Sequence, residues 1–444
     1  MATIRESSLF SWKNVESKSD LDRLRFVLRG LPDEALMRRL EEKRGRGRDD
    51  YPIRATWNSL LAGIVFQHES VESLRRELSR NGELRDLCGF DPLGGEEAIP
   101  SSDAYTRFLK NLMKEQEMIE EMFNALINEA KELLPDLGEH LAVDSKALDT
   151  HARGRKDPAT SSDPDANWGK KVKRGQRSDG TMWEKVTKWF GYKLHLVVDS
   201  HYELPLGWKV TRASRSDSRE LIPLVKDLAK RQPDRIEVAK DLSADRGYDS
   251  GDNNAWLWDE MQIKPLIDSR LMWKEKETKL VDPSRADNIV YDEKGQLYCH
   301  CPKSGERREM AYQGFEKDRK SLKYRCPAAA FDFPCQGRSQ CGSGCYGGYG
   351  RIVRVPLEKD RRVFTPIARS SYAWARGYKR RTAVERVNSR LDGSFQFERH
   401  YIRGKKKMEL RMGLALTLML ALAVGHLRAG EKEKIRSLVQ LRAA

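Results

Sequence analysis

Leu141-Ala142-Val143-Asp144-Ser145 is a short apolar run that ends in a carboxylate. It follows Pro135 and reads as a buried strand, because a run this short between polar flanks suits a sheet better than a helix. Downstream, Gly191-Tyr192-Lys193-Leu194-His195-Leu196-Val197-Val198 reads as a strong strand. The segment 204–210 folds back on it as a hairpin, with the turn near Ser200-His201. A helix over 218–229, a strand over 236–242 leading into Asp245, a helix over 250–261 and a strand over 263–267 complete the pattern. Strands come first and then alternate with helices, so the expected class is α/β with a mixed sheet. In such a sheet the ends of neighbouring strands lie side by side, which would bring Asp144 and Asp245 together.

Around this core the chain changes texture. Residues 1–136 carry apolar residues at helical spacing, such as Leu21, Leu24, Val27 and Leu28, and predict an all-helical N-terminal domain. The core is expected over 137–269, interrupted by a polar, basic loop or DNA-facing arm at 151–187 that holds Arg153, Arg155, Lys170, Lys171, Lys173 and Arg174. Residues 270–365 form a Cys-rich inserted subdomain. Helical period returns over 366–430, with a last helix over 409–427 covering the core, and 431–444 is a charged tail.

Composition narrows the function classes. The 444 residues suit two to four domains. Lys and Arg number 82 against 67 Asp and Glu, a formal net charge of +15, which points to a polyanionic partner. The N-terminal stretch has no apolar leader segment, and the longest apolar run, 412–427, is shorter than the roughly 20 residues of a spanning helix. The expectation is a cytoplasmic protein with no membrane partner. Of seven cysteines, six fall at Cys299, Cys301, Cys326, Cys335, Cys341 and Cys345. In a reducing compartment that cluster suits a structural Zn²⁺ site or a set of buried thiols, and His300 complicates the ligand choice.

A lone strand-end aspartate is usually a turn former. Two on neighbouring strands, with a third carboxylate from a covering helix, would supply hard oxygen ligands for two Mg²⁺ ions roughly 3.5–4 Å apart. Glu385 fits the third place. At about 100° per residue, Tyr378, Arg381, Glu385 and Asn388 share one polar strip, and Val384, Val387 and Leu391 form the apolar stripe beside it. Two neighbours of Asp245 compete with it. Asp249, with Ser250, is expected to cap the following helix; Asp241 lies inside the strand. His195 is expected to be a satisfied core or site-lining histidine.

The segment Tyr378-Lys379-Arg380-Arg381-Thr382-Ala383-Val384-Glu385 has the Tyr-x2-Arg-x3-Glu pattern of bacterial insertion-sequence DDE transposases. Ala244-Asp245-Arg246-Gly247-Tyr248-Asp249 resembles the stretch around their second aspartate, Val143-Asp144-Ser145 the stretch around their first, and Gly191–His195 the strand that follows it. Residues 21–110, with Leu87-Cys88-Gly89-Phe90 and Pro100-Ser101-Ser102, resemble their helical N-terminal region. In this order the motifs make the sequence similar to the insertion-sequence-four and -five-like assemblage, its eleven-eighty-two branch included. One departure is Asp392, which stands where the family pattern often has a lysine.

The resemblance implies an RNase H-like core and a DNA transposase. Water attacks a phosphodiester at the transposon end, and the freed 3′-OH then attacks target DNA. Asp144 would bridge two Mg²⁺ ions, for which Mn²⁺ can substitute, and Asp245 and Glu385 would each hold one. Tyr378, Lys379, Arg380, Arg381 and Asn388 would contact DNA, and the helical region would recognise the terminal inverted repeats. The implied partners are double-stranded DNA and, on DNA, a second copy of the chain. Two other classes share these features: an RNase H-like nuclease without strand transfer, and a domesticated, non-catalytic DNA-binding protein.

Overall fold

A computed structural model describes residues 20–437 apart from 46–49, 156, 158–159, 178, 180, 275–276, 285–287 and 342–347. Helices α1 (Asp20–Gly30), α2 (Glu34–Arg44), α3 (Ile53–Val65), α4 (Val71–Arg80), α5 (Gly82–Cys88), α6 (Ser102–Leu112) and α7 (Gln116–Leu133) come first. Strands β1 (His140–Asp149), β2 (Asn167–Gln176), β3 (Met182–Asp199) and β4 (Pro205–Arg212) follow, then helices α8 (Asp217–Arg231) and α9 (Pro233–Glu237). Next are β5 (Asp241–Ala244), α10 (Gly251–Asp259) and β6 (Lys264–Ile267). A run of short elements comes after them: β7 (Lys279–Leu280), β8 (Ile289–Tyr291), β9 (Leu297–His300), β10 (Arg307–Glu309), β11 (Ala311–Glu316), β12 (Ser321–Arg325), α11 (Pro327–Phe331) and β13 (Ile352–Pro356). Helices α12 (Tyr372–Tyr378), α13 (Thr382–Phe395) and α14 (Lys405–Arg428) end the inventory.

These elements form two compact units of interleaved sequence. One holds the described residues up to Pro135 with 147–192 and those from Asn388 onward; the other holds 136–146 and 193–387. In the first unit, side chains of Ser70, Asn81 and Ser101 cap α4, α5 and α6 by accepting backbone N–H bonds. Helix α14 packs against α1, α3 and α7. It starts earlier than its apolar run suggested, and it is long and apolar enough to cross a membrane, but 89% of that window is buried within the protein. A helix apolar all round has to be enclosed, and the amphipathic helices enclose this one.

Of the loop or arm expected at 151–187, the structure has a two-stranded arm over much of the stretch. Strand β2 pairs antiparallel with the first half of β3, from Asn167↔Gly191 to Gln176↔Met182. Apolar alternation does not reveal this ribbon because both of its faces are exposed: Trp168, Val172, Met182 and Val186 are open to solvent on one, and Lys171, Lys185 and Thr187 on the other. The register sets Lys170 opposite Lys188. Like charges directly opposite are unfavourable unless an anion screens them.

In the second unit the later half of β3 belongs to a sheet of order β3-β1-β5-β6, with β4 paired to β3. The β1–β5 and β5–β6 pairs are parallel, so the fold is mixed α/β with a mixed sheet. Strand β5 is shorter than the expected 236–242. Ile236 lies in α9, and only Asp241–Ala244 joins the sheet. Beyond β6, sheets of order β10-β9-β8-β7 and β11-β12-β13 share one core with Trp258 and Phe364.

Candidate active site

Leu141, Ala142 and Val143 are fully buried, as are Leu242 and Ala244. Strands covered on both faces hold their register firmly, and the register places the carboxylates. Val143↔Ala244 is the last β1–β5 pair. Asp144 is not the strand end expected, because β1 runs on to Asp149; it stands level with Asp245, the residue after β5, where the β1–β5 pairing stops. Ala244↔Ile267 is the last β5–β6 pair, which adds Asp268 to the same rim. Sequence reading ended that strand at Ile267 and missed the aspartate; only the sheet register identifies it.

Each aspartate is oriented by its own backbone. An oxygen of Asp144 accepts the N–H of Ser145 at 2.8 Å, one of Asp245 that of Gly247 at 2.8 Å, and one of Asp268 that of Ser269 at 2.9 Å. Beneath them Tyr248 is fully buried. Burial, then the charges of Asp217, Asp144 and Asp245, push its phenol well above the ordinary value. Its hydroxyl meets Nδ1 of His195 at 3.4 Å, and Nε2 of His195 meets the Thr211 hydroxyl at 2.9 Å. Burial pushes this imidazole down to about 4, so it is a neutral, hydrogen-bonded core group.

The third carboxylate comes from the α12–α13 segment. The two helices meet at a 3-10 turn, Lys379–Arg381, rather than forming one continuous helix. Gly377 permits the approach to β6: a Cβ there would lie 2.6 Å from Leu266 Cδ1. Tyr378 follows it and stacks on Trp374, with ring centroids 4.7 Å apart. Val384, Val387 and Leu391 are fully buried, as the apolar stripe predicted. On the polar strip, Arg381 Nη1 pairs with Glu385 Oε1 at 2.8 Å. Burial works to lower the Arg381 pKa, but Glu385, Tyr378 and Asp144 together raise it. The Tyr378 phenol is pushed up by burial, then by Asp268 and, against the opposing charge of Arg381, by Asp245. Arg381 and Tyr378 thus share an electrostatic neighbourhood with the aspartate rim.

Other candidates are placed differently. Arg380 pairs with Asp241 at 3.2 Å, and Asp241 also meets His140 Nδ1 at 2.8 Å. That holds Arg380 at the opposite end of β5, about 13 Å along the strand from Asp245. Lys379 is exposed. Asn388 lies on α13 but falls in the first unit, where its Oδ1 is buried without a hydrogen-bond partner. Asp249 is not a helix cap. Ser250 caps α10, accepting from Asn253 N–H at 3.1 Å. Asp249 is instead a buried anion that meets Arg362 at 3.2 Å and Arg369 at 3.5 Å and accepts the Arg270 N–H at 2.9 Å. Both arginines lie more than a hundred residues away, so local pattern could not reveal them. Cys299, Cys301, Cys326, Cys335 and Cys341 wall a separate cavity; Cys345 lies outside the described residues.

The rim offers hard carboxylate oxygens, the donor type that divalent ions such as Mg²⁺ prefer. Among the described residues, no three His, Cys, Asp or Glu side chains stand closely enough to hold an ion as they are. The donor chemistry fits such a metal, and Glu385 is engaged by Arg381.

The fold and rim together define a mixed α/β protein with an acidic strand-end site. The sequence model described as the transposase DDE domain matches residues 135–421. That is well over half of the chain, and the chain belongs to this family of nucleic-acid-cleaving transferases, which generally use divalent metal ions. No curated protein matches the sequence. Among solved structures, the piggyBac transposase synaptic complex with hairpin DNA is similar at 12% identity and a TM-score of 0.37, covering 96% of this chain and 80% of that one. So remote a likeness transfers no residue roles.

Proposed function

We propose that the protein is a DNA transposase of RNase H-like fold that cleaves transposon ends and joins them to target DNA through Asp144, Asp245 and Glu385. The observation that carries this reading is the shared level of Asp144 and Asp245 on adjacent parallel strands, within the field of the Arg381–Glu385 pair. The strand order β4-β3-β1-β5-β6 suits an RNase H-like core. Asp144 sits on the central strand, where it can serve both sides of the scissile bond. Arg381 exchanges Glu385 for a DNA phosphate, which frees the carboxylate for its ligand role and grips the backbone bidentately. Mg²⁺ ions at the rim would supply Lewis-acid activation of the attacking oxygen and charge stabilisation of the leaving one. Tyr378 and Lys379 are proposed as further DNA contacts, and the basic β2–β3 ribbon is proposed as a contact in its own right. Region 1–136 is proposed to recognise terminal inverted repeats, and the protein to act as a dimer on DNA in the bacterial cytoplasm.

The test is a cleavage and strand-transfer assay on end duplexes with Mg²⁺ or Mn²⁺. Asp144→Ala, Asp245→Ala and Glu385→Ala should each lower cleavage by several orders of magnitude, with unchanged circular dichroism. A variant that cuts near the wild-type rate removes its residue from the set. Wild-type protein that cuts but never joins a pre-cut end would instead be a nuclease.

A further inference from the structure

The geometry points to a structural zinc site held by Cys301, Cys326, Cys335 and Cys341, independent of the strand-end carboxylates. Six of the described cysteines are free thiols. Five of them, all but Cys88, wall one cavity of about 310 Å³. They reach it from the end of β9, from the residue before α11, and from the turns at 335–341. Thiols from segments this far apart in sequence would not gather on one cavity for packing alone, since a cavity is what close packing avoids.

Local geometry separates the ligands from their neighbours. Cys299 lies within β9, and Cys301 follows its last residue, His300. Cys299 is already engaged: its sulfur accepts from Asn288 Nδ2 at 3.5 Å and donates to the His300 carbonyl at 3.9 Å. Cys301 opens the turn Cys301-Pro302-Lys303-Ser304-Gly305, in which the Ser304 N–H donates to its sulfur at 3.5 Å. An N–H bond to sulfur favours the thiolate, the form that binds metal. Gly337 carries the chain of Cys335 and Cys341 against this turn. A Cβ at that position would lie 2.8 Å from Cys301 Sγ and 2.7 Å from Pro302 Cδ, so a side chain would wedge the two segments apart.

The thiols are not yet at coordination distance, and the cavity is larger than one ion needs. Zinc–sulfur bonds of about 2.3 Å in a tetrahedron would draw the 335–341 turns inward. Each ligating thiol releases its proton to solvent on binding, so uptake is coupled to ordering of the segment. The product is a cross-link among β9, α11 and the following turn that the short strands alone do not provide.

Metal content can be measured without any assay of DNA cleavage, so this inference stands or falls apart from the transposase reading. Full-length protein, purified without chelator and supplied with Zn²⁺ under reducing conditions, should contain about one zinc per chain. Cys326→Ser and Cys335→Ser should each reduce that to a small fraction, whereas Cys299→Ser should keep it. Wild-type protein loaded with Co²⁺ should show the intense absorption of tetrahedral cobalt–thiolate, which needs no variant to fold. Zinc well below one per chain, absence of the cobalt band, or loss of zinc in Cys299→Ser equal to that in Cys335→Ser would overturn the assignment.

Discussion

The acidic rim and the cysteine cavity differ in how their donors are supported. Asp144 lies within a buried strand, Asp245 and Asp268 directly follow two more, and each accepts a backbone N–H one or two residues on. The cysteines stand on one short strand, just before a one-turn helix and in turns around an open space. On the proposed reading the rim would bind, release and rebind ions at one geometry, which needs a scaffold that holds without them. A structural metal can be part of its own scaffold, because binding energy becomes folding energy. The comparison breaks if the rim proves soft, and the experiments below probe that from the largest expected effect to the smallest.

The rim is anchored from behind by Asp249, whose side chain is completely buried against Arg362 and Arg369. Removing one member of a buried ionic cluster leaves charges uncompensated and costs about 3–5 kcal/mol. Asp249→Ala should therefore destabilise the protein by about that much in urea unfolding. Ser250→Ala, which removes only a helix cap, should cost about 1 kcal/mol. Equal losses in the two variants would show that the cluster does not anchor the turn that carries Asp245.

The buried imidazole below the rim gives a pH signature. His195 is held neutral by burial with its pKa pushed down to about 4, against about 6.5 in an unfolded chain. The unfolded state therefore gains the proton first as pH falls. The associated stability is fully present above about pH 6.5 and declines by up to about 3 kcal/mol as pH falls toward 4. His400, also pushed down to about 4 by burial, titrates in the same direction. His195→Gln should flatten part of the decline in denaturant midpoints between pH 7 and 4.5; an unchanged slope would mean that this histidine is reached by solvent protons in the folded state.

How much of this was legible in sequence depended on whether the signal was local. The run Leu141–Asp144 and the stripe Val384, Val387, Leu391 announce a strand and a helix face by period alone, and both are where the period puts them. The β2–β3 ribbon has no buried face and so leaves no alternation to read. Ile236 and Ala239 extended an apparent strand that in fact contains only Asp241–Ala244, because a short helix beginning at Pro233 takes up the preceding residues. Asp249 reads as a cap beside Ser250 until its distant arginines are known. Asp268 is a generic strand-end aspartate until the parallel register sets it level with Asp245.

If Asp144 and Asp245 hold metal as proposed, that level would make Asp268 a supporting group. A carboxylate beside metal ligands raises local affinity for cations without contacting the reacting atoms, and loss of such a partner typically costs about 10–100-fold in metal affinity or activity. Asp268→Asn should raise the Mg²⁺ concentration for half-maximal cleavage by about tenfold while the rate at saturating Mg²⁺ stays close to wild type. A collapse of the saturated rate would instead place Asp268 among the ligands themselves.

The smallest expected effect separates two adjacent arginines. Arg381 shares its field with Asp144 and holds Glu385, the group it would release on meeting phosphate. Arg380 is paired with Asp241 at the far end of β5. One phosphate contact contributes about 0.9 to the slope of log affinity against log salt on duplex DNA. Arg381→Ala should flatten that slope by about one unit on end and scrambled duplexes alike, because phosphate carries no sequence information. Arg380→Ala should leave the slope within error of wild type and instead lower stability modestly, since Asp241 keeps His140 as a partner. Gel shifts over a salt series with both variants decide the matter. Equal flattening by both would mean that Arg380 leaves Asp241 for DNA, and that the polar strip grips the backbone with two guanidinium groups rather than one.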